Sequence, residues 1–155
     1  MEGTVVAVAI SSLAKTLRYK NEAIVQRFAE ENSLSLSEAE VVFLETKKWL
    51  WLCAKQSELK YTKFPLTLFY QMQLVDVMWH TFILFTKDYA DFCHQHFGCF
   101  IHHVPKAKGE KELSRRIQRA TIRYTYEFIY DQLGEDTLLL WCEGLRVRFP
   151  LHAGE

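Results

Sequence analysis

The sequence predicts an all-α protein, one compact domain of five or six helices with a short extended segment near residues 99–105. Three observations carry this. Gly 6 and Pro 3 in 155 residues are too few turn-formers for a β-sandwich. Apolar residues recur at helical spacing through most of the chain. Capping residues and glycines fall where those periodic stretches begin and end. At 155 residues and 49% hydrophobic, the chain suits a single domain, 1–155, with a well-buried core.

Residues 1–18 contain the β-branched run "VVAVAI", which fits a strand or the start of a helix, and a helix or an ordered arm on the core is the favoured expectation. "NEAIVQRFAEEN" (21–32) is a helix with Ile24, Val25 and Phe28 on one side. "SLSEAEVVFLETKKWLWLCAKQ" is the clearest helix, with Ser37 and Glu40 spaced for a capping box. At about 100° per residue, Val41, Val42, Trp49, Leu52 and Cys53 share a face. Glu45 falls within that face and needs a partner, because an unpaired buried charge is costly. "KYTKFPLT" is a connection around Pro65. A helix is expected from about Leu68 to about Phe85. A second starts with Thr86 as N-cap and stops at Gly98. On this piece Tyr89, Phe92, Cys93, His96 and Phe97 face inward, and Asp91, His94 and Gln95 outward. "CFIHHVP" is extended, and "KAKGEKE" is a charged linker. The next helix runs to Gly134, with Leu113, Ile117, Ala120, Tyr124 and Phe128 expected on its core face. A short helix starting near Asp136 closes the chain.

Charge and cysteine usage narrow the function. Lys+Arg 19 balance Asp+Glu 19, so no global field draws the chain to nucleic acid. Arg115, Arg116, Arg119 and Arg123 form a basic flank that could bind an acidic partner or nucleic acid, but Glu110, Glu112 and Glu127 lie close by, which favours a solvated face paired to local acids. No apolar run reaches membrane-spanning length. Cys53, Cys93, Cys99 and Cys142 form no CxxC pair. With no basic residue ahead of "TVVAVAISSLA", no secretory leader is read, and the expectation is a cytoplasmic setting with free thiols.

The chemistry concentrates in "LVDVMWHTFILFTKDYADFCHQHFGCFIHHVP" (74–105), which holds five of the six histidines. Asp76 and His80 are four apart on a helix, so they share a face. Asp76 could orient an imidazole, leaving the other nitrogen for a metal or a proton. The structural alternative is a His–Asp pair that closes a helix interface. Trp79, Phe82, Thr86 and Tyr89 lie on a different stripe and read as core. On one straight helix His80 and Cys93 would lie about 20 Å apart along the axis, so a break near Thr86 is needed before they can meet. His94 and His96, two apart on a helix, cannot chelate together. His102 and His103 point to opposite faces of an extended segment, so one of them at most joins a site. Cys93 as a nucleophile would need a neighbouring imidazole and a lowered thiol pKa. Its inward face makes an inert thiol the better reading.

"VDVMWH", Tyr89, "FC" at 92–93, Gly98 and His103 together resemble the glycine-rich domain-containing protein-like family. That pattern runs V-D-x-x-W-H, a Tyr, a Cys, a Gly and a His five residues later. A weaker similarity lies in "YEFIYDQLGEDTLLLW". The resemblance implies Asp76, Trp79, His80, Tyr89, Cys93, Gly98 and His103 as motif positions. It also implies a helix break after Leu84 and a preference for His103 over His102. The chain departs from the pattern in two places: "YQMQ" stands where Pro-Ser is usual, and the Gly-rich segment is missing.

The first functional reading is a metal-ion-binding helical protein. His80, His103, Cys93, Asp76 and Glu45 are the candidate ligands, with zinc suited to the mixed set and iron the alternative. The second is a protein-interaction or adaptor domain whose histidines form a structural hydrogen-bond cluster. The third is a metal-dependent hydrolase or a thiol enzyme, for which no substrate-binding motif is present.

Overall fold

The computed structural model describes residues 9–59, 62–104 and 108–149. Residues 1–8 of the expected arm, 60–61 of the first connection and 105–107 of the extended segment and linker lie outside them. The described residues form helices α1 (Leu13–Leu17), α2 (Glu22–Asn32), α3 (Leu36–Ser57), α4 (Gln73–Leu84), α5 (Thr86–Phe97), α6 (Arg115–Leu133), α7 (Glu135–Glu143) and α8 (Leu145–Arg148). A single 3-10 turn, Tyr70–Met72, leads into α4. There is no strand among them, so the all-α expectation holds. Seven helices have at least five residues, against the five or six expected, because the short α1 also forms. None is long and apolar enough to cross a membrane.

α3 is the central element, packed against α1, α2, α4 and α6. Its cap is Ser35 with Glu38, not Ser37 with Glu40: Glu38 N–H donates to Ser35 Oγ, and Ser35 N–H donates to Glu38. Both pairs have the same spacing. Starting at Ser35 turns Ala39, Val42 and Phe43 into the core. Val42, Trp49 and Leu52 are buried as expected, while Val41 and Cys53 are half-buried at the edge of the face.

Lys47 on α3 is buried and ties down the N-terminal stretch. Its Nζ donates to the Leu17 and Tyr19 carbonyls at 2.8 and 2.6 Å. Trp51 Nε1 donates to Ser11 O at 3.0 Å. Residues 9–19 therefore form an ordered, core-packed arm with α1 inside it.

α4 and α5 are separated at Phe85, whose backbone (φ −84°, ψ 67°) is not helical. The break falls after Leu84. Thr86 is the first helical residue rather than a cap, and it is exposed rather than core. Gly98 ends α5 in the left-handed region, φ 69°, a conformation glycine adopts without a Cβ clash.

The expected core face of α6 is corrected. Leu113 and Ile117 are exposed, Ala120, Tyr124 and Phe128 are half-buried with Phe128 packed on the core, and the buried positions are Thr121, Thr125 and Ile129. Each buried threonine satisfies its hydroxyl within the helix: Thr121 donates to Ile117 O and Thr125 to Thr121 O. Thr125 Oγ1 also accepts from Thr67 N–H. A hydroxyl bonded in this way can be buried at little cost, which an apolar-periodicity argument does not register.

A candidate metal centre at the end of a cavity

The site begins with a buried relay. Trp79 Nε1–H donates to Tyr89 Oη at 2.9 Å, and Tyr89 O–H donates to the Ile101 carbonyl. Tyr89 is fully buried, and burial pushes its phenol pKa far up, so it stays a neutral donor. This relay pins the extended segment 99–104, which has no helix or ladder of its own, against α4 and α5.

With Ile101 fixed, His103 lands on α4. Its ring stacks on Trp79 (centroids 4.1 Å apart, planes 19° apart) and on His80 (4.4 Å, 7°). His103 Nε2 lies 2.7 Å from Asp76 Oδ1. Asp76, His80 and His103 each present a ligand atom within 4.8 Å of the other two. His80 is exposed, and Asp76 and His103 are half-buried. His102 is exposed, its ring against Phe100.

The other two candidate ligands are spent elsewhere. Cys93 is 0% exposed, with the Tyr89 hydroxyl and the Ile101 backbone as its polar neighbours. Burial pushes its thiol pKa up, the opposite of what a metal-ligating or nucleophilic thiolate needs. Among the described residues, the cluster of ligand atoms around His80 does not include Cys93. Glu45 is 3% exposed, and both of its oxygens are engaged: Lys48 Nζ donates to Oε1 at 3.0 Å and Trp141 Nε1–H to Oε2 at 2.7 Å. The Trp141 contact spans 96 residues of sequence, so no local pattern signals it. His94 is exposed and His96 is buried in the aromatic cluster of Tyr19, Phe92 and Phe97.

Two imidazoles and one carboxylate are a donor set for a divalent transition metal, leaving positions open. Ligands held at roughly 2.0–2.2 Å place their donor atoms roughly 3.3–3.6 Å apart, so a spread within 4.8 Å needs a small contraction. The stacking adds a condition. An imidazole lone pair lies in its ring plane, and two rings 7° from parallel cannot both aim in-plane lone pairs at one ion. His80, being exposed, is free to turn to another rotamer. His103, held between two rings and the Asp76 carboxylate, is the fixed member.

Asp76, His80 and His103 border a cavity of about 890 Å³, whose wall includes Trp49, Cys53, Leu68, Met72 and Trp79. That size is typical of small-molecule sites. No curated protein and no solved structure matches the chain. The family model described as UCP032817-like matches residues 11–136. With the site lying inside that span, the chain belongs to the UCP032817-like family.

Proposed function

We propose that the protein binds a divalent transition-metal ion through Asp76, His80 and His103. The observation that supports this is the approach of the three ligand atoms to within 4.8 Å of one another. Zinc suits two imidazoles and a carboxylate, and iron is the alternative for the same set. The resemblance to the glycine-rich domain-containing protein-like family adds support, since all three residues stand at its motif positions. Loading would move His80 off its stack on His103 and exchange the Asp76–His103 hydrogen bond for two bonds to the ion. Metal analysis of protein purified without a polyhistidine tag tests the reading, together with thermal melts of metal-stripped protein. The expected result is bound metal and a melting temperature that rises with added zinc or iron. A melting temperature indifferent to both sinks it.

A second reading has its own observation. The 2.7 Å Asp76–His103 contact, with His103 between Trp79 and His80, serves equally as a structural clasp. The protein is then an interaction domain. Its partner surface is the exposed entry into α6, where Leu113 just before the helix and Ile117 on it lie among Arg115, Arg116 and Arg119. Pull-downs that survive His80→Ala and His103→Ala but fail after Arg→Glu changes on α6 favour this reading.

A further inference from the structure

α6 carries its charges the wrong way round for a lone helix. Residues 115–123 hold Arg115, Arg116, Arg119 and Arg123 and no acid, whereas 124–133 hold Glu127 and Asp131 and no base. A helix is partially positive at its N-terminus and partially negative at its C-terminus. Arg115 and Arg116 in the first turn and Asp131 in the last therefore each meet charge of their own sign. Little of this is neutralised within the chain. Arg123 pairs with Glu127 at 3.1 Å, both exposed. Arg115, Arg116, Arg119 and Asp131 make no ion pair among the described residues.

One side of the helix is also uncovered. Arg116, Arg119, Arg123, Glu127 and Tyr130 recur at intervals of three or four, so they share a side, and all are exposed. Leu113, just before the helix, and Ile117 add exposed apolar surface near the arginines. At the acidic end, where α7 packs on α6, Tyr126, Glu127, Tyr130, Asp131 and Leu138 line a hollow of about 440 Å³. Tyrosine rings and carboxylates suit a guanidinium, which stacks on the one and forks onto the other. Arginines stand at one end of the helix, and groups that recognise arginine stand at the other.

We propose that a second copy of this chain covers the exposed side of α6, the two α6 helices lying antiparallel about a two-fold axis near Arg123. Arg116 is seven residues before that axis and Tyr130 seven after, so Arg116 of each copy enters the hollow of the other, against Tyr130 and Asp131. Arg119 and Glu127 stand four before and four after. Arg123 Nε uses Glu127 Oε1, which leaves Oε2 for Arg119 of the second copy. Arg123 meets its own counterpart on the axis, and its pairing with Glu127 offsets that repulsion. Both hollows fill at once, so association closes at two copies. A formal net charge of zero adds no long-range repulsion between them. The 19-residue helix is about 28 Å long, and one side of it falls short of the roughly 800 Å² per partner of a standard interface, so the dimer is weak and salt-sensitive. The inference rests on the interaction reading, for which it names the partner, and uses neither the histidines nor a metal.

Sedimentation equilibrium of the full chain, over a wide concentration range at low and high salt, tests it. The expected result is a monomer–dimer equilibrium whose dissociation constant rises about tenfold from low to high salt. The double variants Arg116→Glu with Arg119→Glu, and Glu127→Lys with Asp131→Lys, are each monomeric. Mixed in equal amounts they form a heterodimer, because each hollow again brings opposite charges together. Loss of pairing is not loss of fold here. The changes put acid near the N-terminus of α6 and base near its C-terminus, where both favour the helix.

A wild-type chain that stays monomeric throughout overturns the proposal, and that measurement needs no variant. A dimer indifferent to both charge reversals overturns it, as does a mixture of the two variants that does not pair. A monomeric chain that captures another protein through the α6 arginines keeps the interaction reading and refutes self-pairing alone.

Discussion

Two carboxylates on core-facing helices meet opposite fates. Glu45 sits in a sealed corner, where Lys48 and Trp141 take both of its oxygens and the Trp141 ring packs edge-on against Trp49 at 5.9 Å. Asp76 sits on a rim, its side chain 35% exposed, with His103 on one oxygen and His80 within reach. Both are satisfied, but only the rim group can exchange its partner for something from solvent. Burial converts a carboxylate into structure, and partial exposure keeps it available for chemistry.

The comparison breaks most visibly at Glu45. Glu45→Ala strands a buried indole N–H and leaves Lys48 without its acceptor, at an expected cost of about 3 kcal/mol in urea unfolding. Glu45→Gln keeps an oxygen for Trp141 and should recover about half. Neither change should alter metal uptake, and a loss of bound metal in Glu45→Gln would show that corner and rim are not separate.

Tyr89 links the sealed interior to the rim. Tyr89→Phe removes one acceptor and one donor, leaving Trp79 Nε1 and the Ile101 carbonyl unpaired, at a cost of about 2 kcal/mol. The expected secondary effect is faster amide exchange across 101–104 and weaker metal binding, because His103 loses its anchor. Unchanged exchange there would mean that ring stacking alone holds the segment.

Asp76→Ala should cost about 1 kcal/mol or less, as expected for a half-exposed hydrogen bond, yet abolish any zinc-induced rise in melting temperature. A large loss of stability with no change in zinc response would instead place Asp76 with Glu45, as a structural group.

The smallest effect concerns a buried histidine set against the two rim histidines. Burial holds the His96 imidazole below its ordinary pKa of 6.5, and the Lys15 and Lys47 charges push it the same way. Just below pH 6.5 the unfolded chain therefore binds a proton that the folded one refuses. Stability rises with pH through that window and is lost on acidification. His96→Gln should flatten this part of the stability–pH curve, and an unchanged slope would assign it to other groups.

Periodicity made much of this legible. The inward faces of α2, α3 and α5 follow from apolar spacing, and Gly98 marks a true helix end. The core face of α6 was hidden because two of its three buried positions are threonines, whose hydroxyls bond to their own helix. At the site, the Asp76–His80 spacing placed two of the three groups on one face, and the resemblance chose His103. Spacing alone could not separate His103 from Glu45 as a further ligand. That choice depends on contacts 27 and 96 residues apart in sequence, set by tertiary docking. Cys93 was readable as buried from its stripe, which already weighed against a reactive thiol.

The Tyr89 relay also implies an order of assembly. Trp79 to Tyr89 spans 10 residues, Tyr89 to Ile101 spans 12, and Asp76 to His103 spans 27. Each short closure confines the chain before the next, so the longest loop closes on ends already held near one another, at a fraction of its direct entropic cost. The rim cluster is then the final stitch of a local zipper and the first to come undone. Partial opening of this hairpin would part Asp76 from His103 while the α2–α3 core stays folded.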